Sequence, residues 1–158
     1  NVAKRQHTPA GAAGERLKIT ATPAVHTSDP SLREAVGEVT GFLLRWEGQR
    51  DGAFYISGDT VWTDELLEIG KRFNVASGIL HLGAANVPAV GDVILTMSSA
   101  DGARATRALG MKSVFPAHFE GWRHFSQGGW SIEREFDKAG LTDALVMLRP
   151  GEARNLVM

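Results

Sequence analysis

The sequence predicts an α/β (α+β) fold in which helices pack on one face of a mixed β-sheet. Two observations lead to this class. The first half of the chain holds an alternating apolar run and then two β-like runs joined by a glycine-containing turn. After residue 59, helical and strand-like segments alternate. Strands joined by a short turn pair antiparallel, whereas strands separated by a helix pair parallel, so one sheet should contain both kinds of pairing.

Composition narrows the classes of function. The 158 residues carry a formal net charge of −1, which offers no electrostatic attraction for nucleic acid or for a membrane surface. There is no cysteine, so disulfides, thiol catalysis and cysteine-based zinc sites are excluded. No apolar run is long enough to span a membrane. We therefore expect a cytoplasmic protein that acts on a small-molecule substrate.

The predicted domain begins after an irregular lead-in. Residues 1–16 mix basic residues with an Ala/Gly run and are expected to form a flexible lead-in, and residues 17–158 are expected to form one βα unit. Alternation of apolar residues predicts a strand at 17–25. Two more strands, 38–46 and 53–57, should form an antiparallel pair because the turn between them contains two glycines.

The remaining elements are predicted from apolar periodicity and from helix-ending glycines. Thr63 is expected to cap the first helix, whose apolar residues share one face. The predicted order is a helix after Thr63, a strand at 75–82, a helix at 98–109, a strand at 113–117, a helix at 131–139 and a last strand at 144–148.

Three metal-capable side chains follow apolar strands. His26, Asp59 and His118 each come at or just after such a strand, where the backbone is fixed and the side chain faces a loop region. Each one alone is more often structural, since a histidine near a strand end is usually hydrogen-bonded and an Asp in a Gly-Asp-Thr turn often accepts backbone N–H groups. Their shared placement predicts a metal site for zinc, with manganese or iron as alternatives.

Two further regions carry histidine. His81 lies among apolar residues, which favours a hydrogen-bonded core histidine over a metal ligand. The segment 120–130 is rich in glycine and aromatic residues, and Trp122, His124 and Phe125 are candidates for a substrate-binding wall or lid. The alternative is a loop packed on its own aromatic side chains.

The order of three motifs resembles a known family. Ala-Thr-Pro-Ala-Val-His26, Ile-Ser-Gly-Asp59-Thr and Val-Phe-Pro-Ala-His118-Phe together look like the second half of metallo-β-lactamase-fold hydrolases. Within them, the pattern is most similar to the branch of ascorbate-phosphate lactonase and N-acylphosphatidylethanolamine-type phospholipase D. The resemblance implies that the chain is the C-terminal half of an αββα sandwich.

The same resemblance implies roles for the three residues. His26 would be the third histidine on the first of two divalent ions, Asp59 the catalytic carboxylate bridging both ions, and His118 a ligand of the second ion. The implied reaction is hydrolysis of an ester, lactone or phosphodiester by a hydroxide held between the ions.

One expected motif is absent. The family's His-x-His-x-Asp-His motif occurs nowhere in the sequence, and the 25 residues before His26 are too few for the strands that carry it. We therefore expect the N-terminal half on the same or another polypeptide, and we expect this chain alone to be inactive. The alternative is a degenerate, non-catalytic module that binds a ligand or partner through the aromatic loop at 120–130.

Overall fold

The computed structural model describes residues 16–154, so the predicted lead-in lies, apart from Arg16, outside the described residues. One five-stranded sheet runs through this part of the chain in the order β1-β2-β3-β4-β5. The neighbours β1/β2 and β2/β3 are antiparallel, and β3/β4 and β4/β5 are parallel, which confirms the predicted mixed sheet. The strands are β1 (Leu17–Thr22), β2 (Gly41–Trp46), β3 (Ala53–Ile56), β4 (Val75–His81) and β5 (Ser113–Ala117).

Helices connect the parallel strands. α2 lies between β3 and β4, α3 between β4 and β5, and α3 packs against both α2 and α4. None of the helices between residues 16 and 154 is long and apolar enough to cross a membrane. The helices are α1 (Arg33–Val36), α2 (Glu65–Arg72), α3 (Ser99–Leu109) and α4 (Gly129–Lys138).

The two faces of the sheet differ in burial. Leu43, Tyr55, Leu80 and Val114 point to the helix side and are at most 3% exposed, in one core with the helix residues Leu66, Ile69, Ile132 and Phe136. The register places apolar residues on the other face as well. We call this second surface the open face, and its members are Ile19, Phe42, Leu44, Phe54, Ile56, Ile79 and Phe115.

Several boundaries differ from the prediction. The strand predicted at 17–25 ends at Thr22, which is the last residue of β1 paired with β2. The strand predicted to begin at residue 38 begins at Gly41, which is the residue paired with Thr22. Thr63 does not cap α2. Asp64 occupies that position, and the Thr63 hydroxyl donates instead to the Glu65 carboxylate.

The predicted last strand at 144–148 is wrong. A 3₁₀ turn (Thr142–Ala144) is followed by a single parallel bridge between Leu145 and Val114, with the Val146 N–H donating to the Val114 carbonyl. The next rung would need an N–H from Pro116, which has none. The segment therefore leaves the edge of β5 after one residue pair.

Candidate metal centre

The parallel strands bring three side chains to one edge of the sheet. β3, β4 and β5 point the same way, so their carboxyl ends meet at the same edge. Asp59 follows β3, His81 is the last residue of β4, and His118 directly follows β5. Potential ligand atoms of these three residues all lie within 4.8 Å of one another. Three potential ligand atoms at this spacing could share one metal ion.

Special backbone conformations direct two of these side chains. Gly58 has φ 62°, and a Cβ there would lie 2.6 Å from the Thr40 carbonyl oxygen, so only glycine fits in the turn that leads to Asp59. His118 has φ 55° although it is not glycine. Such conformations cost about 1–3 kcal/mol and cluster at functional sites. The end of β5 therefore stores strain at the residue whose imidazole faces Asp59.

Asp59 is the centre of the electrostatic network. Its Oδ1 lies 2.7 Å from His81 Nδ1 and 3.4 Å from His118 Nδ1. The hydrogen bond from His81 holds the pKa of Asp59 below its usual range, and the nearby imidazoles of His118 and His26 act in the same direction. Burial lowers the pKa of His118, so the neutral imidazole is favoured there. A carboxylate and a neutral imidazole are the protonation states that bind a metal ion.

The donor set fits a divalent ion. His118 Nδ1 is buried and has no hydrogen-bond partner, which is costly for a polar atom unless a ligand occupies that position. His81 and His118 have their rings stacked with centroids 5.1 Å apart, and they present imidazole nitrogens beside one carboxylate. Two imidazoles and a carboxylate suit zinc, manganese or iron.

His26 lies at the same edge but outside the three-residue cluster. Because β1 is parallel in direction to β3, its carboxyl end reaches the same rim, and the Val61 N–H donates to the Val25 carbonyl beside it. His26 Nδ1 lies 2.9 Å from the Leu95 carbonyl oxygen, which fixes the ring and leaves Nε2 as its potential ligand atom. His26 also lines a cleft of about 670 Å³ with Arg33 and Glu38. Its role as a metal ligand stays a prediction.

The aromatic loop lies next to the cluster. The Phe125 ring packs edge-on against the His118 ring, with the two ring centroids 4.6 Å apart. The centroid of the His124 ring lies 4.6 Å from that of Phe125 and 6.3 Å from that of His118. Trp122 extends this series at 5.7 Å from His124 and is 70% exposed. The residues predicted to bind substrate therefore lie beside the candidate metal ligands, and that role stays a prediction.

Sequence reasoning missed His81. Its apolar neighbours favoured a core histidine, but its side chain is 24% exposed and contacts Asp59. The rule that selected Asp59 and His118, a polar residue at the carboxyl end of a strand, applies equally to His81 at the end of β4. Strand register was the missing information, because Ile79 and His81 face the open side of the sheet while Leu80 faces the core.

Comparison with known proteins gives a consistent family. Residues 2–119 match the model described as a Beta-lactamase superfamily domain. A UPF0173 metal-dependent hydrolase of Methanoregula boonei is 26% identical over 144 residues, covering 89% of this chain and 59% of its own length. Another, from Pelotomaculum thermopropionicum, is 29% identical and covers 95% of this chain and 62% of its own. The chain thus spans just over half the length of the curated relatives it matches.

Solved structures share the fold. An isothiocyanate hydrolase from Delia radicum gut bacteria superimposes with a TM-score of 0.76 at 22% identity, covering 89% of this chain and 54% of that one. A metallo hydrolase from Ignicoccus hospitalis gives 0.64 at 24% identity, covering 96% and 58%. At these identities the likeness concerns the fold alone.

Proposed function

Because this chain belongs to the metallo-β-lactamase superfamily, we propose that it supplies half of a two-metal active site that hydrolyses an ester, a lactone or a phosphodiester. The observation that carries the proposal is the convergence of Asp59, His81 and His118 at the carboxyl edge of three parallel strands. The Nδ1 of His118 supports it, since this atom is buried without a hydrogen-bond partner and a ligand there would satisfy it.

Each side chain has a distinct task in this proposal. Asp59 and His118 would ligate metal, and His26 would do so through Nε2 because its Nδ1 faces the Leu95 carbonyl. His81 orients the Asp59 carboxylate through the 2.7 Å contact. The chemistry that divalent ions supply when bound is activation of water as a nucleophile near neutral pH and polarisation of the scissile bond.

The other half of the site should pack on the open face. Phe42 is 38% exposed, and Leu44, Ile56, Ile79 and Phe115 are only partly buried. A contiguous apolar face of this kind marks a binding surface for another layer. We propose that it packs against the sheet of an N-terminal half that carries the missing ligands, on the same or another polypeptide. The separate N-terminal half would then explain both the exposed apolar face and the incomplete ligand set.

The decisive experiment combines intact mass, metal content and hydrolysis. The native protein containing this chain should bind about two divalent ions per complete unit, and Asp59→Ala should abolish hydrolysis in a panel of esters, lactones and phosphodiesters. Glu133→Ala is the matched control, because it removes an exposed carboxylate from α4, outside the site. Elemental analysis and initial rates are measured on the same samples.

Two results would overturn the proposal. One is a native protein that holds no metal and has no partner half, which would favour the alternative of a non-catalytic module binding through the aromatic loop. The other is a metal-loaded protein whose hydrolysis survives Asp59→Ala.

A further inference from the structure

A continuous series of aromatic rings leads from the surface to the candidate metal ligands. The ring centroids of Trp122 and His124 lie 5.7 Å apart, and those of His124 and His118 lie 6.3 Å apart. The Phe125 ring packs against both imidazoles, with its centroid 4.6 Å from each of theirs. We call Trp122, His124 and Phe125 the aromatic series. It borders the metal-capable cluster at one end and reaches solvent at the other.

The main chain holds this series in place. The Gly83 carbonyl accepts the N–H groups of both Ser126 and Gln127, and the Asn86 N–H donates to the His124 carbonyl. A Cβ on Gly83 would lie 2.3 Å from the His118 carbonyl oxygen and 2.5 Å from the Phe125 ring, so the contact depends on glycine. A binding surface ordered in advance loses little conformational entropy when a ligand binds.

The two exposed tryptophans of this region differ in their ring contacts. Trp122 and Trp130 are each 70% exposed. The guanidinium of Arg134 lies over the Trp130 ring at 4.6 Å, which accounts for that side chain as a surface cation–π pair. Trp122 instead joins the series that ends at His118. A large apolar ring in solvent beside a reaction centre is suited to stacking against a ligand ring.

We propose that the aromatic series is a substrate subsite that binds a flat aromatic ring close to the scissile bond, so that the substrate is an aryl or arylmethyl compound. The inference rests on the proposed hydrolase function. The His124 ring lies between those of Trp122 and His118, with centroid separations of 5.7 Å to Trp122 and 6.3 Å to His118. A ligand ring stacked on Trp122 or His124 would therefore be only a few covalent bonds from a reacting group beside His118.

The test compares two probes that differ only in ring planarity. Phenylphosphonate and cyclohexylphosphonate share one phosphonate group, and the affinity of each is measured by calorimetry on the native, metal-loaded protein at a pH at which both are dianions. Stacking geometry should make the phenyl compound bind roughly 3- to 10-fold tighter. Trp122→Ala should remove most of this preference, and Trp122→Phe should retain most of it. Trp130→Ala is the matched control and should leave the preference unchanged.

The outcomes separate this inference from the proposed function. Equal affinity for both probes in a protein that binds metal would overturn the aromatic subsite and leave the hydrolase proposal intact. A phenyl preference that survives Trp122→Ala, or that Trp130→Ala removes, would also overturn it. A preference that depends on Trp122 in a protein without metal would support the subsite and contradict the hydrolase proposal. Failure to bind metal or either probe would contradict both.

Discussion

The two faces of the sheet carry similar apolar residues but differ in how completely those residues are buried. On the helix side, Leu80, Tyr55 and Val114 are fully buried against α2, α3 and α4. On the open face, Phe42 and Ile79 are equally apolar but stay partly in water. The candidate metal centre lies at the rim of the open face, since His81 shares that face with Ile79. The side of the sheet that is incompletely packed is thus also the side on which His81 of the candidate metal centre lies.

Substitutions of two adjacent residues on β4 should show the largest difference between the faces, measured as the change in free energy of unfolding. Leu80→Ala should destabilise the protein by about 2–5 kcal/mol, because it creates a cavity in the core. Ile79→Ala should cost only about 1 kcal/mol in this chain alone, because its site is already partly solvated. The free energies of unfolding are measured by urea denaturation.

The same pair can test what covers the open face. When the proposed N-terminal half is present, the cost of Ile79→Ala should rise toward that of Leu80→Ala. An unchanged cost for Ile79→Ala would show that the second layer does not pack on this face.

A substitution at His81 tests whether this residue, at the rim of the open face, supports metal binding or only packs. His81→Leu replaces the imidazole with an apolar side chain of similar size and so removes the hydrogen bond to Asp59. We expect metal affinity to fall by about 10- to 100-fold, as when a supporting partner of a metal ligand is removed. Isothermal titration with Zn²⁺ measures this fall. Unchanged affinity together with an increased melting temperature would mean that His81 only packs.

The smallest expected effect is the pH dependence of the metal-free protein. Burial lowers the pKa of His118 in the folded state, whereas the unfolded chain titrates near pH 6.5. The unfolded state therefore takes up the proton first, so the stability linked to His118 is present above about pH 6.5 and is lost as pH falls through the lower folded pKa. His118→Asn should make the free energy of unfolding depend less steeply on pH between 7 and 5. An identical slope in both proteins, measured by denaturation at several pH values, would contradict the direction of the shift.

Sequence patterns predicted most elements because their causes are local. The helix 98–109 was found within one residue, since Ser98 and Asp101 form a capping box and Gly110 adopts the left-handed conformation that ends the helix. The strand 113–117 was found in full. The error at residues 144–148 has another cause, because the pairing with β5 stops where Pro116 lacks an N–H.

The sequence by itself determined the fold class, the family and two members of the metal-capable cluster, Asp59 and His118. These follow from local periodicity, turn residues and short motifs, which require no knowledge of distant neighbours. Only the tertiary structure added His81, because its role depends on which face of β4 it occupies and on the parallel register with β5. The position of the aromatic series against His118 was likewise decided by long-range contacts, chiefly the close approach of Gly83 to Phe125. Such contacts join residues far apart in the chain, so no single window of sequence contains them.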